Sequence, residues 1–410
     1  MTTPYRPNNE IFKKYARLLV NFGMQTREGK KLKKGSVIWF DVPDIAKPLY
    51  FHLQRAILEA GYCPMGNLIP SSDTQYNLAE SFFTLANKSQ REFFPEKYTR
   101  GMIDQIDGRI GILAKTHPNP LEKVDPKLVM QAAEARKLGK ELFFKKVNAG
   151  NLAWTLGLYG TAVSAKEAGM SEKAYWNQII KACYLDTEDP VAEWKKINRI
   201  VQNTANKLSQ LKIDSIKVTG PDVSLTVGIG ANRAWKAGGG NNIPSYEVFT
   251  SPDYRRVNGW IRFNQPLYTH FGTRIEGIEL TFKNGVCTKA TAKKNEPALK
   301  QLIKTPGANR LGEFSLTDAR LSRITKFMAN TLYDENVGGK YGNMHVAIGS
   351  AYRDCYQGQK QPKTDKQWDT LGYNDSVVHE DIVTTEKRTA VATLSDGTKK
   401  EIYKDGQFTI

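Results

Sequence analysis

A chain of 410 residues is long enough for two or three domains of ordinary size. With 40% hydrophobic and 25% charged residues, the composition is typical of a globular protein and excludes a largely disordered chain. No run approaches the roughly 18 apolar residues that a membrane-spanning helix needs, and the N-terminal MTTPYRPNNE lacks the apolar core of a signal peptide. We therefore expect a cytoplasmic protein without a membrane partner.

The formal charge of +17 raises the question of a nucleic-acid partner. The excess is spread along the chain, however, because residues 1–185 hold 27 Lys and Arg against 17 Asp and Glu, and residues 186–410 hold 32 against 25. The densest cluster, Arg27–Lys34, is typical of a solvated loop. We expect no nucleic-acid partner, although a basic surface can steer anionic molecules at low ionic strength.

The four cysteines lie far apart and form no C-x-x-C pair, which argues against a zinc finger or a thioredoxin-type site. In a reducing compartment, scattered thiols are most simply core or surface residues. They are Cys63, Cys183, Cys287 and Cys355.

The first part of the chain alternates strand-like and helix-like patterns. Ser36–Val42 and Gly108–Ala114 are rich in strand-forming residues and predict strands. Apolar residues at helical spacing predict helices at Ile45–Ala60, Asn77–Ala86 and Lys127–Lys146. Strands that alternate with helices indicate a largely parallel α/β sheet.

A long helix is predicted at Asp189–Leu211, where Asp189 can cap the first turn and Pro190 suits the first helical position. Beyond this helix, residues 214–229 carry Val and Ile at alternating positions, which predicts strands. One further helix is expected near Thr317–Tyr333, where Leu321, Ile324, Met328 and Leu332 have helical spacing.

Hairpins are predicted where Gly follows Asn or Asp between strand-like runs, because both residues of such a pair tolerate positive φ. The pairs are Asn284-Gly285, Asp396-Gly397 and Asp405-Gly406. The sequence thus predicts an α/β N-terminal domain at 1–185 and an α+β C-terminal domain at 186–410 with a largely antiparallel β-structure.

Candidate chemistry is concentrated in the second domain. His379 and Asp381 lie in SVVHEDIVTT, whose β-branched residues favour a strand. Residues two apart on a strand share a face, so the imidazole and the carboxylate would project together, with Glu380 opposite. Such a pair can chelate a zinc-like cation, but taken alone it is more often a structural hydrogen-bonded pair.

A second candidate is ENVGGKYGNMHVAIGSAY, from Glu335 to Tyr352. On a helix His345 and Tyr352 would share a face, since seven residues make two turns, but Gly349 makes a helix doubtful there. By itself, the segment also fits a glycine-rich loop that leads to a buried histidine.

Two glutamates stand in otherwise uncharged surroundings. Glu247 is the only charge in IPSYEVFTSP, and Glu313 lies between Gly312 and Phe314 in RLGEFSL. Burying a carboxylate among apolar groups is unfavourable unless it is paired or bound to a metal. Either could instead pair with an arginine, and Arg310 is close to Glu313 in sequence.

Other candidate motifs fail. The glycines at 238–240 are not followed by Lys and Ser or Thr as in a P-loop, and Gly228 and Gly230 lack the rest of a dinucleotide fingerprint. No G-x-S-x-G nucleophile elbow occurs. The remaining histidines have no ligand-like neighbours in sequence and are expected to be core or surface residues. They are His52, His117 and His270.

Four C-terminal segments in this order resemble the dinuclear metalloaminopeptidase family typified by bacterial aminopeptidases T and S. They are IPSYEVFTSP, RLGEFSL, YDENVGGKYGNMHVAIGSAY and NDSVVHEDIV. The N-terminal segments YARLLVNFGM, KKGSVIWFDVP and LQRAILEAGYCP are similar to the same family, so the resemblance spans essentially the whole chain.

The resemblance implies a ligand set for two divalent metal ions, with zinc, cobalt or manganese as candidates. The metal ligands would be Glu247, Glu313, Glu335, His345, His379 and Asp381. Glu313 matches the bridging carboxylate, and Tyr352 matches a tyrosine that acts at the site. The link between Glu335 and His345 is long here, whereas some relatives have a shorter one.

The implied function is that of a metal-dependent aminopeptidase, which hydrolyses the first bond of peptides with a free N-terminus through a metal-activated hydroxide. Tyr352 would stabilise the oxyanion, and Glu313 or Glu335 would move the proton. A homodimer is also implied. The alternatives are a basic nucleic-acid-binding protein and a non-catalytic protein on the same scaffold.

Overall fold

The computed structural model describes residues 5–25, 31–269 and 273–410. The chain divides into two compact units. The first comprises Met1–Lys195 and Gly239–Pro244, and the second comprises Lys196–Gly238 and Ser245–Ile410.

The first unit is built on a four-stranded parallel sheet in the order β2-β1-β3-β4. The strands are β1 (Val37–Pro43), β2 (Cys63–Ile69), β3 (Gly108–Leu113) and β4 (Ala153–Leu158). The strands predicted at Ser36–Val42 and Gly108–Ala114 are therefore confirmed, as is the parallel arrangement. Alternate residues of β1 are fully buried, which is the pattern of a strand that contributes to a core.

Helices flank the strands in sequence, and a 3₁₀ turn at Asp44–Ala46 precedes the second one. The helices are α1 (Asn9–Asn21), α2 (Lys47–Glu59), α3 (Leu78–Leu85), α4 (Lys88–Glu92), α5 (Glu96–Gln105), α6 (Pro126–Ala135), α7 (Lys137–Asn148), α8 (Ala162–Glu167), α9 (Glu172–Ala182) and α10 (Pro190–Gln210). Predicted helices at Ile45–Ala60 and Asn77–Ala86 are confirmed. The one predicted at Lys127–Lys146 is interrupted at Arg136, so two helices replace it.

Helix α10 begins as the sequence predicts. Asp189 Oδ1 accepts hydrogen bonds from the backbone N–H groups of Val191 at 3.0 Å and Ala192 at 3.2 Å, and Pro190 occupies the first helical position. Two N–H groups that lack partners inside the helix are thereby satisfied.

The second unit contains an eight-stranded antiparallel sheet in the order β13-β12-β9-β6-β5-β17-β18-β19. Its strands are β5 (Ile213–Gly220), β6 (Val223–Gly228), β9 (Val257–Arg262), β12 (Glu279–Lys283), β13 (Val286–Thr291), β17 (Thr389–Leu394), β18 (Lys399–Lys404) and β19 (Gln407–Phe408). The three predicted hairpins join consecutive strands of this sheet. At the first turn Asn284 has φ 49° and Gly285 has φ 81°, and a Cβ on Gly285 would overlap the carbonyl oxygen of Tyr254.

A five-stranded antiparallel sheet in the order β16-β15-β14-β8-β7 completes the unit, together with a small two-stranded sheet. Its strands are β7 (Lys236–Ala237), β8 (Glu247–Thr250), β14 (Leu311–Thr317), β15 (Asn343–Gly349) and β16 (His379–Thr384); the small sheet pairs β10 (Leu267–Tyr268) with β11 (Arg274–Ile275). Short helices are α11 (Glu296–Ile303), α12 (Thr331–Asp334) and α13 (Asp365–Thr370), with 3₁₀ turns at Tyr254–Arg256 and Arg353–Cys355.

The helix predicted near Thr317–Tyr333 is wrong. Thr317 ends β14, residues 318–330 are irregular, and α12 begins only at Thr331. The carboxylate of Asp334 accepts hydrogen bonds from the backbone N–H groups of Met328 at 2.6 Å and Asn330 at 2.8 Å, so side-chain oxygens replace helical carbonyls. Ile324 and Met328 are buried as their apolar character requires, but no helix carries them.

Several smaller expectations can be compared with the structure. No helix among the described residues is long and apolar enough to cross a membrane. Residues 27–30 of the basic cluster and His270 lie outside the described residues, whereas Lys31, Lys33 and Lys34 are exposed. All four cysteines are among the described residues and none forms a disulfide bond; Cys183 and Cys355 are buried.

Replacing Asp189 by Ala should lower the free energy of unfolding by about 1 kcal/mol, because two N–H groups at the start of α10 lose their acceptor. Asp189→Asn is the matched control, since its amide oxygen can accept the same bonds. Chemical denaturation followed by circular dichroism would measure both. Equal stability of Asp189→Ala and the wild type would contradict the capping role.

Candidate metal centre

Four adjacent strands of the five-stranded sheet carry the candidate ligands. Glu247 is the first residue of β8, Glu313 lies on β14 and His345 on β15, and His379 and Asp381 lie on β16. The predicted strand around His379 and Asp381 is confirmed. All five side chains are buried or half-buried.

The pairing register places these side chains on one face of the sheet. Glu313 pairs with Ala347, and Ala347 pairs with Asp381, so these three residues lie in one row across β14, β15 and β16. His345 and His379 each lie two residues from a member of this row and therefore project to the same side. Glu247 joins them because it pairs with Thr317, four residues after Glu313 on β14.

The opposite face of the sheet faces a core. Every residue of β14 and β15 is buried, and the ring of Phe314 packs edge-on against Trp235 at a centroid distance of 6.1 Å. Glu380 also lies on this side, as the alternation around the H-x-D pair predicts. Along β14, polar Glu313, Ser315 and Thr317 therefore alternate with residues that face the core.

Glu313 lies between the two imidazoles. Its Oε1 is 3.2 Å from Nε2 of His345, and its Oε2 is 3.4 Å from Nε2 of His379. His345 Nε2 is also 3.4 Å from Oε2 of Glu247, and His379 Nε2 is 3.6 Å from Oδ1 of Asp381. One carboxylate therefore connects two groups of side chains.

Each group has the composition of a cation site. The first contains Glu247, Glu313 and His345, and the second contains Glu313, His379 and Asp381; within each, the ligand atoms lie within 4.8 Å of one another. Carboxylate oxygens and imidazole nitrogens without a thiolate are donors that suit zinc, cobalt or manganese. Glu313 belongs to both groups, which is the position expected of a bridging carboxylate.

Neighbouring polar groups orient the candidate ligands. Nδ1 of His379 lies 2.7 Å from the carbonyl oxygen of Ser350, which can only accept, so this nitrogen carries the proton and Nε2 presents its lone pair to the cluster. Ser245 Oγ donates a hydrogen bond of 3.0 Å to Oε1 of Glu247. Neither serine has a sequence signal that would have marked it as part of a site.

Glu335 follows α12 and is only 6% exposed. The amide of Asn336 donates to Oε1 of Glu335 at 3.4 Å and accepts from the backbone N–H of Tyr246 at 2.6 Å, next to Glu247. Asn343, the first residue of β15, donates to the carbonyl oxygens of Glu335 at 3.0 Å and Val337 at 2.7 Å. The long glycine-rich link is thus closed at its base, and Glu335 is held beside the strands.

Tyr352 follows β15 and borders the cluster. The considered helix from His345 to Tyr352 does not form, because His345 lies on a strand that ends at Gly349. The ring of Tyr352 instead lies 4.7 Å from the ring of His379 and 5.6 Å from that of Phe249. Its backbone N–H donates to Ser251 Oγ at 2.8 Å.

The electrostatics of the cluster are those of crowded buried carboxylates. Burial, together with the charges of Glu313 and Asp381, raises the pKa of Glu247. Burial raises the pKa of Glu335 well above its ordinary value; the charges of Glu247, Asp381 and Glu313 add to this rise, and that of His345 opposes it. Burial also raises the pKa of Tyr352, and the nearby carboxylates add to this effect, so its hydroxyl stays protonated.

The two imidazoles respond in the opposite sense to burial. Burial alone lowers the pKa of both His345 and His379, but the surrounding carboxylates raise it well above the ordinary value. A cation of any kind is therefore stabilised at this position.

The residues present fit a divalent metal. His379 Nε2 is buried without a hydrogen-bond partner although two carboxylates lie nearby. A lone pair aimed at a carboxylate is unfavourable unless a proton or a metal ion lies between them. The two other histidines that the structure describes lie in different surroundings: His52 packs against Phe12 and Phe51, and His117 Nδ1 accepts from the backbone of Asn119.

A rigid sheet face that bears carboxylates and imidazoles is typical of metal-dependent hydrolases. Residues 8–408 match the family described as thermophilic metalloprotease (M29), and the chain belongs to this family. Aminopeptidase T of Thermus aquaticus is 30% identical over 422 residues, covering 98% of this chain and 99% of the relative. Aminopeptidase PepS of Streptococcus thermophilus is 28% identical over 429 residues with the same two coverages.

The fold is also that of a solved relative. Wild-type AmpT from Thermus thermophilus superposes with a TM-score of 0.81 at 24% identity, covering 98% of this chain and 99% of that one. The family resemblance and the α/β plus antiparallel β architecture predicted from the sequence are confirmed.

The pKa shifts predict how the stability of the metal-free protein depends on pH. Groups whose pKa is raised by folding bind protons more tightly in the folded state, so the stability they contribute is lost as the pH rises. Between about pH 5 and pH 8, Glu335→Gln should therefore lose less stability than the wild type, because one such carboxyl is gone. Thermal unfolding in chelator measures this.

Glu401→Gln is the control for this experiment, since Glu401 lies on β18 in the other sheet. It should follow the wild-type pH dependence. Identical slopes for the wild type and Glu335→Gln would show that the Glu335 carboxyl does not titrate as the cluster requires.

Proposed function

We propose that the protein is a metal-dependent aminopeptidase whose catalytic domain is residues 186–410 and whose site holds two divalent ions. The observation that carries the proposal is the position of Glu313, which lies between two groups of ligand atoms on one sheet face. Relatives named as aminopeptidases along the whole chain support the reaction.

The ligands proposed for the two ions are divided between the two groups, with Glu313 shared. Glu247 and His345 belong to the first group, and His379 and Asp381 belong to the second. Glu335 completes the set, because its carboxylate is buried and its pKa responds to both Glu247 and Asp381. When bound, such ions would lower the pKa of a water and polarise the carbonyl of the first peptide bond.

Glu313 is the side chain proposed to move the proton. Attack of water on the carbonyl releases one proton, and the departing amine must gain one. Because Glu313 is shared by both groups of ligands, its carboxylate would lie close to the attacking water and to the departing amine. It could therefore accept the proton from the water and deliver it to the amine.

Tyr352 is proposed to stabilise the negative oxygen of the tetrahedral intermediate. Its raised pKa keeps the hydroxyl protonated, so it can donate a hydrogen bond. The contact with the His379 ring holds it at the border of the cluster. The cytoplasmic location and the homodimer stay predictions.

Replacing Glu313 or His345 by Ala should remove metal and lower kcat/KM for leucine p-nitroanilide by at least about 100-fold, because both are proposed ligands. Elemental analysis gives the metal content, with about two ions per chain expected in the wild type. N-acetylation of the substrate should abolish hydrolysis if the free amine is required. The control Glu401→Gln should keep both metal and rate, whereas full activity of Glu313→Ala or His345→Ala would contradict the proposed site.

Replacing Tyr352 by Phe should lower kcat by about 10²–10³-fold while the metal content remains that of the wild type, because only the hydroxyl donor is lost. Steady-state kinetics with the same substrate measure this change. An unchanged kcat would remove Tyr352 from the mechanism without affecting the assignment of the ligands.

A further inference from the structure

The face of the sheet that bears the candidate ligands continues past them to the edge of the sheet. Across the paired strands, His345 pairs with Ser315, Ser315 with Phe249, and Phe249 with Lys236 on β7. One cross-strand row therefore leads from a proposed metal ligand, past a small side chain and an aromatic ring, to a cation.

The direction of Lys236 follows from its neighbours. Residues that pair directly across strands project to the same face, and successive residues alternate. Trp235 precedes Lys236 and contacts Phe314, which lies on the face opposite to Glu313. Lys236 must then project to the ligand-bearing face.

Electrostatics and packing agree with this placement. Burial raises the pKa of the Cys355 thiol, and the charges of Glu313 and Lys236 act on that pKa in opposite directions, so both lie within electrostatic reach of one loop. Phe249, between the cluster and Lys236, is half-buried and contacts the ring of Tyr352 at 5.6 Å.

Among the described residues, the charge of Lys236 has no counter-ion. Its side chain is half-exposed, and within 5–25, 31–269 and 273–410 no carboxylate lies within ion-pairing distance of its ammonium group. An ammonium group beside an apolar ring, on the face where a peptide would be cleaved, suits an anionic group of that peptide.

Distances along the row indicate which anionic group of a peptide substrate would reach Lys236. Neighbouring strands are about 4.8 Å apart, so Lys236 lies roughly 10 Å from the strand of Glu313 and roughly 14 Å from that of His345. An extended peptide spans about 3.3–3.6 Å per residue, so two or three residues beyond the first peptide bond, with a contact of about 3 Å to the ammonium group, cover this distance. With its first peptide bond at the cluster, a tripeptide or tetrapeptide would bring its C-terminal carboxylate to Lys236.

We propose that Lys236 binds the C-terminal carboxylate of short peptide substrates, so that the enzyme favours tripeptides and tetrapeptides with a free C-terminus. Phe249 forms the apolar floor between this carboxylate site and the metal cluster. The inference rests on the proposed aminopeptidase function and names its substrate class.

The test compares Leu-Gly-Gly with its C-terminal amide as substrates of the metal-loaded full-length protein. In the wild type, KM for the free acid should be about tenfold lower than for the amide, because only the acid forms a charge-assisted contact. In Lys236→Gln, this preference should disappear through a rise in KM for the acid. Lys400→Gln, on β18 in the other sheet, is the matched control and should keep the preference.

Charge reversal distinguishes the loss of a specific contact from general damage to the protein, because damage would not reverse the substrate preference. Lys236→Glu should prefer Leu-Gly-Gly aminoethylamide, whose C-terminus is cationic, over the free acid. A reversed preference would support direct contact between residue 236 and the peptide C-terminus.

The inference and the function on which it rests can fail separately. Equal KM values for acid and amide in the wild type, or an acid preference that survives in Lys236→Gln, would overturn the role of Lys236. A metal-loaded wild type that hydrolyses none of these peptides nor leucine p-nitroanilide would instead contradict the proposed function.

Discussion

Repulsion among buried carboxylates is the constraint on which the second unit depends. Glu247, Glu313 and Glu335 are at most 6% exposed; the first two share one sheet face with Asp381, and Glu335 lies beside the strands at the end of α12. Bringing like charges together in a poorly solvated place opposes folding unless cations or protons compensate. The raised pKa values of Glu247 and Glu335 indicate that protons compensate in the metal-free protein. Metal ions would replace those protons in the active protein. Metal binding and stability of this unit are therefore coupled.

The antiparallel sheet makes this arrangement geometrically rigid. Glu247, Glu313 and His345 lie on strands that are paired on both sides, whereas His379 and Asp381 lie on the edge strand β16, which pairs with β15. The same pairing places Phe249 and Lys236 in line with His345, so the chemistry at the cluster and the recognition of the peptide depend on one register. Side chains on strands are held more accurately than side chains on loops, which suits the proposed binding of two ions at a fixed separation.

Local sequence was sufficient for features that depend on local physics. Asp189 caps α10, the Asn284-Gly285 turn forms, and His379 and Asp381 share a face because a strand alternates. Apolar spacing failed where side-chain hydrogen bonds compete with the helix: Leu321 to Leu332 have helical spacing, but the Asp334 carboxylate accepts from backbone N–H groups that a helix would use. The row from His345 to Lys236 exists only through strand pairing, which no single segment encodes.

The contrast between β14 and the glycine-rich link determines where insertions and deletions can be tolerated during evolution. A one-residue deletion within β14 would turn Glu313 toward the core, because side chains alternate along a strand. Between Val337 and Asn343 the chain is under no such constraint. The side-chain amide of Asn343, at the end of the link, donates to the carbonyls of Glu335 and Val337 at its start and so holds the two ends together. Homologous chains can therefore gain or lose residues beside the cluster and keep the same ligands.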